Sequence, residues 1–401
     1  MELDRRQFGR LLLALGASAL PGCGSGDRYS ADDAAALQAH KRRERERSGL
    51  GPFGEQRFRG YQGLAELPWF ELDPDGTLRC VAEDLPRAID IHAHLGISLL
   101  FAPEIDLQAR TPRVRHLLDC SPANADCALD LDVYINANFS EAGLTELREE
   151  VVAQLLWGSE AAATHTIPNL LAEMNATGVG QAVLHPIAFG LPFGDDLDVR
   201  WHEAVEDAGA GERLIAGASV HPRDDARLEK LRRAAARGAR IVKLHPAMQR
   251  FYPDDPEAME VYAECGRLGL AVFFHAGRAG IEPERMHPYT MLRNYAPMLE
   301  RFPEVDFVFG HGGARDAADA IELAARHPNV WMDVHGQGVT VLAEMIDRLG
   351  GDRLLYGTDW PFYHLAATLA KVLIVTEGRP ELRNAMLRGN AERLLGLAGT
   401  G

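Results

Sequence analysis

Two histidines one residue apart, His92 and His94, occur in the stretch IDIHAHLG at residues 89–96. In a β-strand, the side chains of residues i and i+2 point to the same side. The two imidazoles can therefore bind one metal ion from one face of one strand. Taken alone the doublet is weak evidence, because a histidine pair also arises as a structural accident.

Three further candidate metal ligands stand at the ends of apolar runs elsewhere in the chain. His275 ends AVFFH, His311 ends VDFVFGH and Asp359 ends LLYGTD. Short apolar runs bounded by turn residues predict buried strands. Imidazole and carboxylate ligands suit zinc, and also manganese, iron or cobalt. One fold must explain why four strand ends carry such residues.

Apolar runs and helical patterns alternate through most of the chain. Eight runs are predicted as strands, at residues 89–94, 181–186, 214–221, 240–245, 271–275, 305–311, 330–335 and 354–359. This alternation predicts an α/β fold, a (β/α)8 TIM barrel, in which the carboxyl ends of all strands converge. A doubly wound open sheet is the alternative, but it predicts a glycine-rich turn where the histidine doublet stands.

The connection after the first strand is much longer than the others. A helical pattern at residues 167–177 ends it, so residues 96–165 are predicted to be an insertion on the face that carries the active site of barrel enzymes. We expect this insertion to form a lid or a pocket wall. The barrel domain is predicted at residues 81–401, after a tether and N-terminal extension at residues 24–80 that contains a solvated, charged helix.

The first 23 residues resemble a bacterial export signal. Arg5 and Arg6 precede an apolar stretch too short to span a bilayer, and LPGC at residues 20–23 resembles a lipoprotein processing box. The resemblance implies a lipid on Cys23 and an exported, periplasmic or cell-envelope protein held at the membrane by that lipid. An ordinary cleaved signal with an incidental Cys23 is the alternative.

The chain has 58 acidic and 42 basic residues and a net charge of −16, which argues against nucleic acid as a partner. A small-molecule substrate is the expected partner, and a homodimer is left open. Cys120 and Cys127 lie in a loop-like segment, so a disulfide between them is also left open. Cys80 and Cys265 are predicted to be buried thiols.

As a set, these motifs resemble the metal-dependent amidohydrolase superfamily and, within it, amidohydrolase family 2. The matching stretches are IDIHAHLG, IVKLHPAMQRFYPDDP, AVFFHAG, FVFGHGG, LLYGTDWPF and GNAERLLGL. The resemblance implies one divalent ion, zinc before manganese, iron or cobalt, held by His92, His94, His275 and Asp359. It implies that His311 is a catalytic acid–base group or an electrostatic stabiliser, and that it binds a second ion only if the site holds two.

Several neighbouring residues have open roles. Lys243 either bridges two ions as a carboxylated lysine, points outward from the barrel, or binds substrate. His245 is predicted to bind substrate or to support the ligands, Arg278 to hold a substrate carboxylate, and Trp360 to form an aromatic wall. A last group is predicted to be mainly structural and comprises His185, His221, Asp333 and His335.

These residues favour a hydrolase in which a metal-activated water attacks an amide, ester or lactone carbonyl of a small molecule. Asp359 or His311 takes the proton of that water. The alternative is a metal-dependent, nonhydrolytic decarboxylase of aromatic or unsaturated acids, which uses the same ligands and which an anion-binding Arg278 would favour. A non-catalytic binding lipoprotein is a third hypothesis. It predicts a missing ligand, and none is missing.

Overall fold

The computed structural model describes residues 28–120, 127–191 and 194–397. At its centre is a closed barrel of eight parallel strands. The strands are β1 (Ala88–Ala93), β2 (Val179–Leu184), β3 (Leu214–Ala216 and Ala218–Ser219), β4 (Ile241–Leu244), β5 (Ala271–His275), β6 (Phe307–Gly310), β7 (Val330–Asp333) and β8 (Leu354–Leu355). The predicted α/β barrel is thereby confirmed.

The barrel closes between β1 and the chain that follows β8. Ala93 and Trp360 form a parallel bridge, the Ile91 amide donates to the Tyr356 carbonyl at 2.9 Å, and the Asp359 amide donates to the His92 carbonyl at 2.7 Å. Within β3, Gly217 passes so near β2 that an added Cβ would lie 2.8 Å from the Leu184 carbonyl oxygen. Only glycine fits there without moving the backbone.

A helix follows each strand and covers the outside of the barrel. The helices are α1 (Ile167–Thr177), α2 (Leu197–Asp207), α3 (Arg227–Ala236), α4 (Pro256–Leu268), α5 (Ala296–Arg301), α6 (Ala317–Arg326), α7 (Val339–Leu349) and α8 (Leu365–Val375). Proline in the first turn starts α1 and α4, and left-handed glycines end both, at Gly178 and Gly269.

The remaining elements lie outside the barrel. Arg57–Arg59 pairs antiparallel with Ala128–Asp130, and Phe70–Leu72 pairs antiparallel with Leu78–Cys80. Residues 94–166, between β1 and α1, contain the Ala128–Asp130 strand and the helix Glu141–Leu156. Short helical segments complete the structure, at Gln62–Glu66, Ile135–Asn138, Ala162–Thr164, Pro246–Gln249, Glu284–Met286, His287–Thr290, Leu292–Asn294, His311–Asp316, Pro380–Asn384, Ala385–Gly389 and Asn390–Leu395.

The N-terminal helix, Ala31–Arg47, packs on the barrel, whereas the sequence predicted a solvated helix in a tether. Asp33 pairs with Arg293 at 2.8 Å. Glu44 accepts from the Tyr134 amide at 2.6 Å and lies 3.4 Å from the Arg315 guanidinium. The charges of this helix therefore have partners on distant parts of the chain, which explains why the local pattern suggested solvent exposure.

A buried apolar cluster forms the floor beneath the carboxyl ends of the strands. Ile241 and Phe273 belong to it, together with Leu394 of the C-terminal helix. Because alternate residues of a strand share a face, Lys243 and His275 stand above this floor on the same side of their strands. The cluster excludes water from one end of the barrel and leaves the polar side chains at the other.

Cys120 and Cys127 form a disulfide with a Cα–Cα distance of 5.3 Å, which resolves the pairing that the sequence left open. Cys265 is buried and Cys80 is half-buried. Arg5, Arg6 and Cys23 lie outside the described residues. Among the described helices, none has the length and apolar character needed to span a bilayer.

Candidate metal centre

The carboxyl ends of β1 and β8 bring three metal-binding side chains to one point. The Oδ1 atom of Asp359 lies 3.4 Å from His92 Nε2 and 3.2 Å from His94 Nε2, and the two Nε2 atoms are 3.2 Å apart. All three residues are buried. Two imidazoles and a carboxylate around one point form the donor set of a divalent cation site.

The outer nitrogens of these imidazoles are fixed by the protein. His92 Nδ1 lies 2.8 Å from Asp333 Oδ2, and His94 Nδ1 lies 2.7 Å from the His185 carbonyl oxygen. Such contacts place the proton on Nδ1 and leave the Nε2 lone pair facing inward, which is the usual arrangement of metal-binding histidines. The tautomer needed for binding is therefore built into the fold.

His275 and His311 form a second pair beside this trio. His275 Nδ1 lies 2.9 Å from His311 Nε2, and His275 Nε2 points toward Glu282 Oε1 at 3.7 Å. The predicted ligand set is thus only partly assembled around one point. His92, His94 and Asp359 converge, whereas the His275 ring packs against two other imidazoles, those of His245 and His311. His311 and Asp359 both have positive φ angles, 56° and 59°, a backbone conformation that costs energy outside glycine and clusters at functional sites.

Lys243 points into the centre, which excludes the outward-pointing alternative. Its Nζ lies 3.2 Å from His92 Nε2 and 4.3 Å from the centroid of the Phe273 ring, and its side chain is buried. Burial lowers the pKa of Lys243 to about 8, although Asp359 and Asp333 oppose that change. The centre therefore contains a buried amine beside its carboxylate.

The buried polar atoms of this region fit a divalent cation. His311 Nδ1 and His335 Nε2 are buried without a hydrogen-bond partner among the described residues, a costly state unless a ligand or ion satisfies them. Burial also lowers the pKa of His92 and of His311 well below the ordinary value. Both imidazoles are thus held in the neutral form that binds metals.

Asp359 is ionised in this environment. Burial raises its pKa, but the neighbouring His94 and His335 imidazoles bring the pKa below its ordinary value. A carboxylate that stays charged in a buried site can serve as a metal ligand and can accept a proton.

Two further carboxylates hold the backbone and ligands in place. Asp333 accepts from His92 Nδ1, from the His311 amide at 3.1 Å and from the His335 amide at 2.9 Å. Asp90 accepts from the His92 amide at 3.0 Å and from the Thr358 hydroxyl at 2.5 Å. Burial raises the pKa of Asp333 to about 7. Asp333 was predicted to be structural, and its position links the ends of β1, β6 and β7.

The other predicted site residues differ in how they are placed. The His245 ring stacks on His275 with centroids 4.0 Å apart, so it lies beside the centre. Arg278 donates to both carboxylate oxygens of Asp316 and to the Asp33 carbonyl, which leaves it poorly suited to hold a substrate carboxylate. The predicted role of Arg278 in binding a substrate carboxylate is therefore not supported, because its N–H groups already donate to the N-terminal helix and to the loop after β6.

Trp360 is fully buried, so it forms no exposed aromatic wall. Its Nε1 donates to Glu173 Oε2 at 3.2 Å, and the same carboxylate accepts from the Leu365 amide at 2.8 Å and contacts His116 at 3.1 Å. Glu173 also lines a cavity of about 1090 Å³ outside the barrel, and no residue of the metal centre lines that cavity. Trp360 therefore connects the strand end at Asp359 to a polar network on the barrel's flank.

The aromatic residues near the centre come from segments that the sequence reasoning did not single out. The Phe362 ring lies 6.1 Å from His94, and the Tyr363 ring lies 4.8 Å from His335. The Tyr363 hydroxyl donates to Asn136, in the connection after β1. The sequence signal for these rings is the stretch DWPFY, in which the predictions assign roles only to Asp359 and Trp360.

Comparisons with known proteins agree with this geometry. The sequence model of the amidohydrolase family, amidohydrolase 2, matches residues 89–397. An uncharacterised TIM-barrel protein from Bordetella bronchiseptica is similar over 60% of this chain and 86% of its own, with 23% identity and a TM-score of 0.50. The 5-carboxyvanillate decarboxylase LigW from Sphingomonas paucimobilis is similar over 62% of this chain and 90% of its own, with 18% identity and a TM-score of 0.52.

A 5-carboxyvanillate decarboxylase from Novosphingobium aromaticivorans, solved with manganese, is similar over 57% of this chain and 80% of its own, with 17% identity and a TM-score of 0.47. No curated protein sequence matches the chain. The likenesses to the Bordetella protein and to LigW support the barrel fold, and the family match covers most of the sequence. The chain belongs to amidohydrolase family 2 of the metal-dependent amidohydrolase superfamily.

Proposed function

We propose that the chain is a metal-dependent decarboxylase of small aromatic carboxylic acids. The sequence favoured hydrolysis, and an anion-binding arginine near the metal, with Arg278 as the candidate, would favour decarboxylation. The observation that carries the proposal is the buried ammonium group of Lys243, 3.2 Å from His92 Nε2, which supplies that cation in place of Arg278. The named activity of LigW, a carboxyvanillate decarboxylase with the same fold, supports this choice.

The residues of the centre suit an anionic substrate. His92, His94 and Asp359 would hold a divalent cation, zinc or manganese, which would supply Lewis-acid chemistry toward a substrate carboxylate. Lys243 pairs with the same carboxylate in a site from which water is largely excluded, where charge pairs are strong. His245 lies beside His275 and orients the substrate from the β4 side.

Aromatic side chains favour a ring as the body of the substrate. Phe362 and Tyr363 follow Asp359 directly and lie near His94 and His335. Tyr134, from the connection after β1, is buried in a small cluster with Ala279 and Ala314. Aromatic rings pack well against one another and give an apolar ligand much of its binding energy.

Decarboxylation of an aryl acid breaks the bond between the ring carbon and the carboxylate carbon. Carbon dioxide leaves, the bonding electron pair stays on the ring carbon, and that carbon takes one proton. Asp359 Oδ2 and His311 Nδ1, 3.9 Å apart, are the groups that can hold this proton. The reaction needs no water, in keeping with a centre whose ligands are buried.

The test is carbon dioxide release by the zinc- or manganese-loaded protein from a panel of hydroxylated benzoates, with the phenolic product followed by chromatography. We expect turnover of at least one acid, and a loss of about 100-fold or more in kcat/KM for Lys243→Met at unchanged metal content. Lys230→Met is the matched control, because Lys230 pairs with Asp224 at 2.6 Å on the protein surface. Turnover by Lys243→Met at the wild-type rate would contradict the proposed role.

Hydrolysis of an amide, ester or lactone is the second candidate. The His275–His311 pair, 2.9 Å apart beside the first trio, favours it, because with a carboxylated Lys243 these residues would hold a second ion. Asp359 or His311 would then take the proton of the attacking water. This alternative would be established if the protein bound two ions per chain, hydrolysed members of a lactone or ester panel and released no carbon dioxide. One ion per chain would leave Lys243 free to pair with the substrate carboxylate.

We also propose that the protein is exported and carries a lipid on Cys23. The twin-arginine pair, the short apolar stretch and the LPGC box support this proposal. The test is detergent phase partitioning of the full-length protein expressed in a bacterium. Wild-type protein is expected in the detergent phase and Cys23→Ser in the aqueous phase. Equal partitioning of the two proteins would contradict lipid attachment.

A further inference from the structure

His335, just after β7, is a buried imidazole that no step of the proposed reaction uses. Its side chain is inaccessible to solvent, and its Nε2 has no hydrogen-bond partner among the described residues. That nitrogen lies 3.7 Å from Asp359 Oδ2. The other oxygen of this carboxylate, Oδ1, faces His92 and His94. The two oxygens of Asp359 therefore have different surroundings, and His335 is next to the outer one.

Contacts on several sides fix the His335 ring. Its backbone amide donates to Asp333 Oδ1 at 2.9 Å, and its Nδ1 lies 3.5 Å from the Thr368 hydroxyl. The Tyr363 ring packs against it at 4.8 Å, and the His311 ring lies 5.4 Å away. When the Thr368 hydroxyl donates to Nδ1, the ring proton is on Nε2, and the resulting N–H is directed toward Asp359.

The geometry points to His335 as a positioning residue of Asp359, whose outer oxygen it holds so that the inner oxygen faces the metal-binding point. The inference rests on the proposed metal dependence, but not on whether the reaction is decarboxylation or hydrolysis. The separation of 3.7 Å is longer than a hydrogen bond. The carboxylate torsion of aspartate is soft, so a small rotation of Asp359 closes the gap.

His335 stands apart from the other outer partners of the centre. Asp333 and the His185 carbonyl fix imidazoles, and each acts as an acceptor. His335 would be a donor, and its target is the carboxylate ligand. Loss of an outer hydrogen bond to a metal ligand typically lowers metal affinity or activity by about 10- to 100-fold. A charged ligand with one oxygen held is also less free to swing away from the ion.

Two substitutions separate positioning from packing. His335→Phe keeps a ring in the buried space and removes the donor, whereas His335→Gln keeps an N–H donor. His327→Phe is the matched control, because His327 follows α6 at the other end of the barrel and touches none of the ligands. The measurements are the cobalt affinity from competition with a chelator, the visible spectrum of the cobalt-loaded protein, the ion content per chain, and kcat and KM once a substrate is known.

We expect His335→Phe to weaken cobalt binding by about 10- to 100-fold, to alter the cobalt spectrum and to lower kcat more than it raises KM. His335→Gln, which keeps a donor, should stay close to the wild-type protein in each of these measurements. An unaltered spectrum and affinity in His335→Phe would overturn the inference. Equal losses in both variants would assign a packing role, and the loss of one bound ion per chain at saturating cobalt would make His335 a direct ligand with His311 and Asp359; either result overturns positioning.

These readouts need no substrate, so they are independent of the proposed reaction. If the protein binds cobalt but releases no carbon dioxide from any acid, the proposed decarboxylation fails while the role of His335 can still be measured. If the wild-type protein binds no divalent ion at this centre, both proposals fail.

Discussion

Asp333 is the side chain on which the geometry of the centre depends most. Its Oδ2 accepts from His92 Nδ1 and from the His311 amide, and its Oδ1 accepts from the His335 amide. In Asp333→Asn, the amide group can replace only one of these oxygens. Whichever way it turns, an NH2 group faces at least one N–H donor, because all three partners donate.

The expected cost follows from these contacts. If the amide group takes the place of Oδ1, the bond from His92 survives but loses its charge, which is worth about 1 kcal/mol, and the His335 amide is left against a donor. The imidazole of His92 is then less firmly oriented and less basic. We expect Asp333→Asn to bind zinc about 10- to 100-fold more weakly, which corresponds to about 1.4–2.7 kcal/mol.

The assay is zinc competition with a chromophoric chelator, at a pH where wild-type protein is fully loaded, with circular dichroism as a check of folding. Asp306→Asn is the matched control, because Asp306 is a carboxylate just before β6 that accepts from Trp331 Nε1 at 2.8 Å, away from the ligands. Asp306→Asn should lower stability and leave zinc affinity unchanged. Wild-type zinc affinity in a folded Asp333→Asn protein would refute the reasoning.

Three further predictions concern stability. Burial would raise the pKa of Glu173, but His364 and His116 outweigh it and bring that pKa to about 2, so the ionised carboxylate stabilises the fold above about pH 4.5 and the contribution is lost as the pH falls toward 2. Glu173→Gln should therefore lower the free energy of unfolding in urea by about 3 kcal/mol at pH 7. The difference from wild type should shrink below pH 4.5, and a difference that stays constant with pH would contradict the lowered pKa. Glu44→Ala leaves the buried Arg315 without its carboxylate and should lower the unfolding free energy by about 1–3 kcal/mol and speed proteolysis of the N-terminal helix; unchanged proteolysis would contradict the docking. The Cys120–Cys127 disulfide closes a short loop, so replacing both cysteines by serine should cost about 2–3 kcal/mol in thermal or urea unfolding, and wild-type stability in the double variant would contradict this.

The barrel could be predicted because each strand is a short apolar run of its own. The limits of the strands were less accurate. The second run was predicted at residues 181–186 and forms Val179–Leu184, and the last was predicted at residues 354–359 and forms only Leu354–Leu355. After Leu355 the chain contains Gly357 and the left-handed Asp359, which cannot continue a regular strand.

The candidate site was predictable where strand ends alone determine position. His92 and His94 share a strand face, and barrel closure brings Asp359 to them. The roles of Arg278 and Trp360 could not be predicted, because their partners, Asp316 and the N-terminal helix in one case and Glu173 in the other, are set by tertiary packing. Site residues with polar partners far away in the sequence look the same as free ones until the fold is known.

The docking of the N-terminal helix has a consequence for the order of events during synthesis. Residues 31–47 leave the ribosome early, but their partners Arg293 and Arg315 belong to the fifth and sixth βα units. Contacts between such distant parts of a chain form late and slowly. The helix therefore has to wait, unpaired, until most of the barrel has been translated. A nascent chain that ends before Arg315 lacks at least one of the two arginines that hold the helix.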